Sequence, residues 1–161
     1  MKFFTYDLLT TINNESFNEE KIEAAELDLK NNSVLYAEIF HDLADKLPSE
    51  VYKRFKGFGF HDYQLEKLII DHSSLLHTNI DIILENEDDR WKLSFTDIST
   101  FKLIHLNQNV LQPVFDPTLD TWAQEEFIPL DGDNLSLEVL FNSGANIQII
   151  FNKNNITMQK L

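Results

Sequence analysis

The chain has 161 residues, 43% of them hydrophobic, and it carries 27 acidic against 13 basic side chains, for a formal net charge of −14. This length predicts one domain with a substantial core, and the apolar fraction is too high for an intrinsically disordered chain. The acidity argues against direct binding to nucleic acid, which needs a high density of Lys and Arg.

The composition also bears on the cellular compartment. Cysteine is absent, which excludes thiolate metal sites and cysteine nucleophiles and favours a reducing environment. No stretch approaches the 18 apolar residues that a membrane-spanning helix needs. The first residues lack the long apolar run and the small-residue cleavage site of a signal peptide. We therefore expect a cytoplasmic protein that does not associate with membranes.

The first third of the chain is predicted to be helical. Residues 3–12 form a short apolar-rich segment, which we interpret as a helix or an extended lead-in. Ser16 and Glu19 then have the spacing of a capping box. After them, apolar side chains recur at multiples of three and four residues, which is typical of one face of a helix. These apolar positions are Ile22, Ala25, Leu29, Tyr36, Phe40, Leu43 and Leu47.

This pattern allows either one long helix over 16–47 or two helices separated at Asn31 and Asn32. We favour the break, because two consecutive Asn residues are unfavourable in a helix interior. Ser33 would then cap the second helix. Pro48 ends this region, and a short helix is expected to run to Lys56.

The glycine-rich sequence that follows Lys56 marks the predicted change from helix to sheet. Beyond residue 61, apolar and polar residues alternate with a period of two, which is typical of strands with one solvent-facing side. Short turn-forming clusters separate these segments, so we expect hairpins and antiparallel pairing. About six strands are predicted, over 63–71, 76–85, 91–96, 135–141, 147–152 and 156–161.

The sequence thus predicts an α+β fold in a single domain, 1–161, with a helical part over 1–57 and a sheet part over 58–161. The exception to the strand pattern is 105–133, which contains three of the four prolines and lacks period two. A loop this long is uncommon unless it is functional or contains further structure. Within this segment, 118–127 could form a short helix, and the sequence leaves the structure of 105–133 open.

Several short segments together show a resemblance to known proteins. They are the opening Met1-Lys2-Phe3-Phe4-Thr5, the tripeptide at 60–62, the segment at 93–98, Trp122 with Glu125 and Glu126, and the closing apolar strand at 147–151. The chain resembles an uncharacterised bacterial family of small cytosolic proteins with a Met-Lys-aromatic-Phe-Thr start. It also looks like sheet-based immunity proteins of bacterial toxin systems. The resemblance implies an α+β fold and a bacterial source, and it carries over no catalytic residues.

No motif in the sequence specifies a catalytic chemistry, because it contains no nucleophile elbow, phosphate loop or dinucleotide fingerprint. We therefore expect a protein that is not an enzyme and needs no cofactor. Residues 103–152 contain seven acids and no Lys or Arg. This distribution favours an acidic protein-binding module, with an immunity-type inhibitor of a basic toxin as the specific form. The expected contact residues are Asp116, Asp120, Trp122, Glu125 and Glu126.

Two alternatives remain open at this level. His61, Asp62, Asp71 and His72 are residue types that bind metals, so a metal-binding protein or an enzyme using these residues is the first alternative. It requires the four side chains to converge in space. The second alternative is a structural or assembly protein, in which the last predicted strand, 156–161, exposes an edge of the sheet.

Overall fold

The computed structural model describes residues 1–74, 76–105 and 120–161. Three helices come first: α1 spans Tyr6–Ile12, α2 spans Glu19–His41 and α3 spans Ser49–Lys56. Eight strands follow: β1 Gln64–Ser74, β2 His77–Glu85, β3 Arg90–Phe95, β4 Thr100–Ile104, β5 Trp122–Pro129, β6 Asn134–Phe141, β7 Asn146–Asn152 and β8 Ile156–Lys160. The α+β class and the change from helix to sheet just after Lys56 are therefore confirmed.

The strands form two four-stranded antiparallel sheets rather than one sheet. The first sheet has the order β1-β2-β3-β8 and the second has the order β4-β7-β6-β5. The two are joined at a corner, because β3 leads directly into β4 and β7 leads directly into β8. Main-chain hydrogen bonds hold this corner together, with Thr96 donating to the carbonyl of Asn155 (3.0 Å) and Ser99 donating to that of Ile150 (2.9 Å).

Two of the eight strands were not expected, so the count of about six was too low. β4 has only five residues, and β5 lies where the sequence allowed a helix over 118–127. The part of that helix over 122–127 is wrong, and 118–119 lie outside the described residues. A β-bulge between Trp122 and Gln124 interrupts the pairing of β5 with β6. The bulge shifts the side-chain alternation by one residue, which hides the period of two from a reading of the sequence.

The prediction of a break at Asn31 and Asn32 is also wrong, because α2 continues through both residues. The Asn32 side chain donates a hydrogen bond to the carbonyl of Phe3 (2.9 Å), so a tertiary contact outweighs its weak helix propensity. Ser33 does not cap a helix, since its hydroxyl bonds to the carbonyl of Leu29 one turn earlier (2.7 Å). The N-cap of α2 is Asn18, not Ser16.

The predicted apolar face of α2 does turn towards the sheets. Ala25 and Phe40 are buried within it, and Tyr36 packs its ring between those of Phe4 (5.3 Å between centroids) and Phe40 (6.0 Å). The hydroxyl of Tyr36 accepts a hydrogen bond from the main-chain N–H of Phe127 in β5 (2.8 Å). α2 therefore covers the outer edge of β5, which would otherwise present unpaired amides.

α3 contributes to the core that the two sheets enclose. Val51 and Phe55 are its buried residues, and the ring of Phe55 contacts that of Phe127 edge-on (4.8 Å). Phe60, directly after the helices, is fully buried and packs against Phe55 and Trp122. The core thus joins the helical part to both sheets. Within the described residues, no helix is both long and apolar enough to cross a membrane.

Candidate functional site

The four potential metal ligands do not come together. His61 and Asp62 are adjacent before β1, with His61 Nδ1 3.0 Å from Asp62 Oδ2, while Asp71 and His72 lie near the other end of that strand. A strand rises by about 3.3 Å per residue, so the two pairs are separated by more than about 20 Å. Among the described residues there is no group of three or more His, Asp or Glu side chains that could hold a metal ion.

The expected acidic contact surface is largely internal. Asp116 lies outside the described residues. Asp120 is half-buried, and its carboxylate accepts a hydrogen bond from the N–H of Ser143 (3.3 Å). Trp122 is fully buried, so it is a core residue and cannot serve as an exposed aromatic contact. The sequence context suggested exposure because carboxylates surround this Trp, whereas in the structure β5 directs the indole into the aromatic core.

Glu125 lies against that core, and the pKa of its carboxyl group is changed by the contact. Its Oε2 accepts a hydrogen bond from Trp122 Nε1 (2.5 Å), and a methyl group built on Gly59 would lie 2.5 Å from its Oε1. Although the residue keeps some solvent exposure, burial of the carboxyl group raises its pKa to about 7, against the lowering effects of the Trp122 hydrogen bond and the Arg54 charge. A group that is half protonated near neutral pH is a poor source of permanent negative charge.

The side chain of Glu126 is fully buried and serves as a structural acceptor. Its two carboxylate oxygens accept hydrogen bonds from the main-chain N–H groups of Lys2, Phe3 and Phe4, each at 2.7 Å. On the neighbouring strand β6, Glu138 forms an ion pair with the amino group of Met1. The acids of β5 and β6 thus attach the first residues of the chain to the second sheet. Glu126 is therefore corrected from a contact residue to a buried anchor.

Arg54 provides the positive charge of this region. Its guanidinium lies over the rings of Phe60 (4.6 Å), Tyr63 (5.1 Å) and Trp91 (5.3 Å). Stacking of this kind is favourable when the cation is partly desolvated. These ring contacts join α3 to the segment before β1 and to β3, while the buried Nε of Arg54 has no hydrogen-bond partner among the described residues.

An exposed surface with both apolar and acidic character lies instead on α2. Leu27, Val34 and Leu35 are 57%, 58% and 51% exposed, although all three are large apolar residues. With 100° between successive residues, Leu27 and Val34 lie on the side of the helix opposite Ala25 and Tyr36, and Leu35 lies at the margin of that side, 100° from Tyr36. Exposed carboxylates share this side, and so does the exposed Lys30. We define the outer face of α2 as Glu20, Glu23, Leu27, Val34, Leu35 and Glu38.

This surface could have been found in the sequence. Once Ala25, Tyr36 and Phe40 define the buried side of the helix, residues about two or five positions away point to solvent. Leu27 and Val34 are seven residues apart and so lie one above the other on that solvent side. Apolar residues on both sides of a surface helix indicate a second contact.

Comparisons with known proteins add little to this description. No protein-family model and no curated protein matches the chain. Among solved structures, the chain is similar to that of an uncharacterized protein from Neisseria gonorrhoeae, with 16% sequence identity and a TM-score of 0.41. The match covers 63% of this chain and 94% of that chain. A likeness at this level carries no functional argument.

Proposed function

We propose that this protein is a non-enzymatic, acidic protein-binding module that binds a basic protein through the outer face of α2. The observation that carries the proposal is the exposure of three large apolar side chains, Leu27, Val34 and Leu35, by more than half of their surface. Apolar residues grouped in this way on one face indicate an interaction surface, whereas scattered exposed ones are common.

The two kinds of side chain on this face would have separate roles. Burying Leu27, Val34 and Leu35 against a partner contributes about 1.5–3 kcal/mol for each residue at full burial. The carboxylates of Glu20, Glu23 and Glu38 would raise the association rate and select for a positively charged partner. These acids extend over about 27 Å of helix, at about 1.5 Å per residue, which is long enough to span the core of a standard interface.

The specific form of the proposal is an immunity-type inhibitor of a basic toxin. The support for it is the formal net charge of −14 together with the exposed acids of α2. A nuclease is a suitable basic partner, since it must itself attract phosphates and so presents a complementary surface. Binding of such an enzyme is expected to abolish its activity at a one-to-one ratio.

The first step of the test is site-specific photo-cross-linking in the source cell. A photoreactive amino acid replaces either Leu35 on α2 or Leu103 on β4, which are matched in exposure at 51% and 50%. The proposal expects a basic protein that is cross-linked from Leu35 and not from Leu103. Equal capture from both positions would indicate non-specific adhesion and would count against the proposal.

The second step measures binding of the purified partner. Reversal of Glu20, Glu23 and Glu38 to Lys is expected to lower the association rate at least tenfold at low salt, with a smaller effect at high salt. The Leu27→Lys variant is expected to raise the dissociation rate. If both variants bind the partner with unchanged rates, the outer face of α2 is not the binding surface and the proposal fails.

A further inference from the structure

The outer edge of β1 is a second surface that the proposed function does not use. β1 is an outermost strand of the first sheet and has 11 residues. Its beginning is held by a bridge between Gln64 and Thr121 and by a hydrogen bond from the Leu65 N–H to the carbonyl of Asp120 (3.1 Å). Beyond that point, no strand in the described part of the chain pairs with this edge.

Of the other three outermost strands, β5 and β8 lie against helices, and β4 has only five residues. The outer edge of β5 is capped by the Tyr36 hydroxyl, and α3 packs against β8. The last strand, β8, is therefore a weaker candidate for assembly than the sequence suggested. Along β1, by contrast, Ile69 and Ile70 are 37% and 50% exposed although they lie on opposite faces of the strand. An exposed edge with apolar residues on both faces readily pairs with another strand.

The order of side chains along β1 is complementary to itself. Lys67 and Asp71 lie two residues before and two residues after Ile69, and Leu68 and Ile70 lie on either side of it. If two copies of β1 run antiparallel about a two-fold axis at Ile69, Lys67 of each copy faces Asp71 of the other. Leu68 then faces Ile70 of the second copy, and the two Ile69 side chains face each other.

This register is distinguished from its neighbours by charge. A slip of two residues keeps the faces of the strand aligned, but it places Asp71 opposite Leu65 or opposite Ile69 of the second copy. Either slip leaves both Lys67 side chains without an acidic partner directly opposite. A slip of one residue would place inward-facing side chains opposite outward-facing ones. Only the register centred on Ile69 pairs both charges and both pairs of apolar residues.

We propose that a second copy of this chain binds the outer edge of β1 in that register and forms a homodimer. Pairing of the two edges gives a continuous eight-stranded sheet with β1 and its copy at the centre. Strand addition of this kind supplies main-chain hydrogen bonds, and the side chains on both faces set the register. The outer face of α2 is not involved, so the dimer and the partner complex can each exist without the other.

The first test is the mass of the protein in solution, measured by sedimentation or by light scattering at tens of micromolar and moderate salt. The wild type is expected to have twice the mass of one chain. The Asp71→Lys variant places Lys opposite Lys67 in both pairs and is expected to weaken the dimer at least tenfold, and Lys67→Asp to weaken it similarly. The double variant Lys67→Asp with Asp71→Lys restores both ion pairs and is expected to return the dissociation constant to within about threefold of the wild type.

A matched control distinguishes this edge from exposed apolar residues in general. Ile70 and Leu103 are each 50% exposed on an outermost strand. Ile70→Lys is expected to give a monomer and Leu103→Lys to leave the dimer intact, with circular dichroism confirming that each variant folds. A monomeric wild type overturns the proposal, and so does a dimer that is insensitive to the β1 variants.

The second test addresses the register directly and uses the absence of cysteine from the chain. In the proposed dimer the two copies of Ile69 are opposite each other, whereas the two copies of Lys67 are about 13 Å apart along the strand, at about 3.3 Å per residue. A short thiol-reactive cross-linker is therefore expected to join the Ile69→Cys variant into a covalent dimer and to leave the Lys67→Cys variant monomeric on a denaturing gel. Cross-linking of Lys67→Cys with none of Ile69→Cys would refute the register.

Discussion

The raised pKa of Glu125 predicts that replacing this residue with Gln stabilises the protein above neutral pH. The Gln side chain has nearly the same shape as Glu, and its amide oxygen can still accept the hydrogen bond from Trp122 Nε1 (2.5 Å). The substitution removes a charge that burial disfavours. It also removes the attraction of that charge to Arg54, which opposes the effect of burial.

The magnitude follows from the difference between the folded and unfolded states. The pKa of Glu125 is about 7 in the folded protein, against an ordinary value of 4.5. Each pKa unit corresponds to about 1.4 kcal/mol, so the carboxylate costs about 3 kcal/mol of stability above pH 7. Between pH 4.5 and 7 the folded state keeps a proton that the unfolded state has released. The contribution of this group to stability is therefore fully present below pH 4.5 and is lost as the pH rises to 7.

The assay is urea denaturation of the wild type and of Glu125→Gln at half-unit intervals from pH 4.5 to 8.5. The variant is expected to match the wild type within about 1 kcal/mol at pH 4.5 and to exceed it by up to about 3 kcal/mol at pH 8. Taking the difference between the two proteins removes the contribution of all the groups that they share. A variant that is less stable than the wild type at pH 8 would refute the reasoning.

Glu126→Gln is the matched control, since it makes the same chemical change at the adjacent residue. The carboxylate of Glu126 accepts three main-chain N–H hydrogen bonds, each at 2.7 Å. An amide has one oxygen, and its NH₂ group cannot accept a hydrogen bond, so at least one of these main-chain donors loses its partner. We expect a loss of about 1–3 kcal/mol. Equal behaviour of the two variants would show that the different hydrogen-bond partners of the two acids do not determine their roles.

Three further predictions concern packing and hydrogen bonds. Gly59→Ala is expected to lower the free energy of unfolding in urea more than Gly132→Ala does. Both residues have positive φ (54° and 67°), but only at Gly59 would the new methyl group contact a carboxylate oxygen, at 2.5 Å. Equal losses of stability would refute the steric argument. Tyr63→Phe is expected to raise the midpoint pH of acid unfolding, as monitored by circular dichroism. The Tyr63 hydroxyl donates a hydrogen bond to Asp89 (2.5 Å) and is the main reason that the pKa of Asp89 falls to about 2 from 3.8. The stability that this pair contributes is therefore present above pH 3.8 and is lost as the pH falls towards 2. An unchanged midpoint pH in Tyr63→Phe would contradict this prediction. Tyr36→Phe is expected to cost about 1 kcal/mol and to speed hydrogen exchange at the β5 amide that its hydroxyl caps, and unchanged exchange there would show that the cap is dispensable.

The sequence predicts most of the fold, and its failures have a common physical cause. Strands with regular alternation, such as β6 and β7, are evident because side-chain burial there depends only on local order. β5 is missed because it contains a bulge and two adjacent Glu residues, which resemble a solvent-exposed turn or helix. The groups that satisfy Glu126 are 122–124 residues away along the chain. No local pattern can indicate that such partners exist.

The same limit applies to the break expected in α2. Asn32 is unfavourable in an isolated helix, but it bonds to the carbonyl of Phe3, 29 residues earlier. Tertiary contacts of this kind routinely outweigh propensities of less than about 1 kcal/mol. The outer face of α2 is different, because its apolar residues follow the helical period and are visible in the sequence once the helix is known to be continuous. The break predicted at Asn31 and Asn32 concealed this face.

The location of the acids determines which of them can report on binding. Reversing the charge of Glu126 would place a cation against three N–H donors in a buried site, at a cost of several kcal/mol out of the roughly 5–15 kcal/mol that stabilises a domain. Loss of binding in such a variant would show only that the protein no longer folds. Glu20, Glu23 and Glu38 are exposed on α2, where substitutions usually change stability by less than about 0.5 kcal/mol. A change in association rate at these positions therefore measures recognition, and for this reason the test of function belongs on α2 and not on β5.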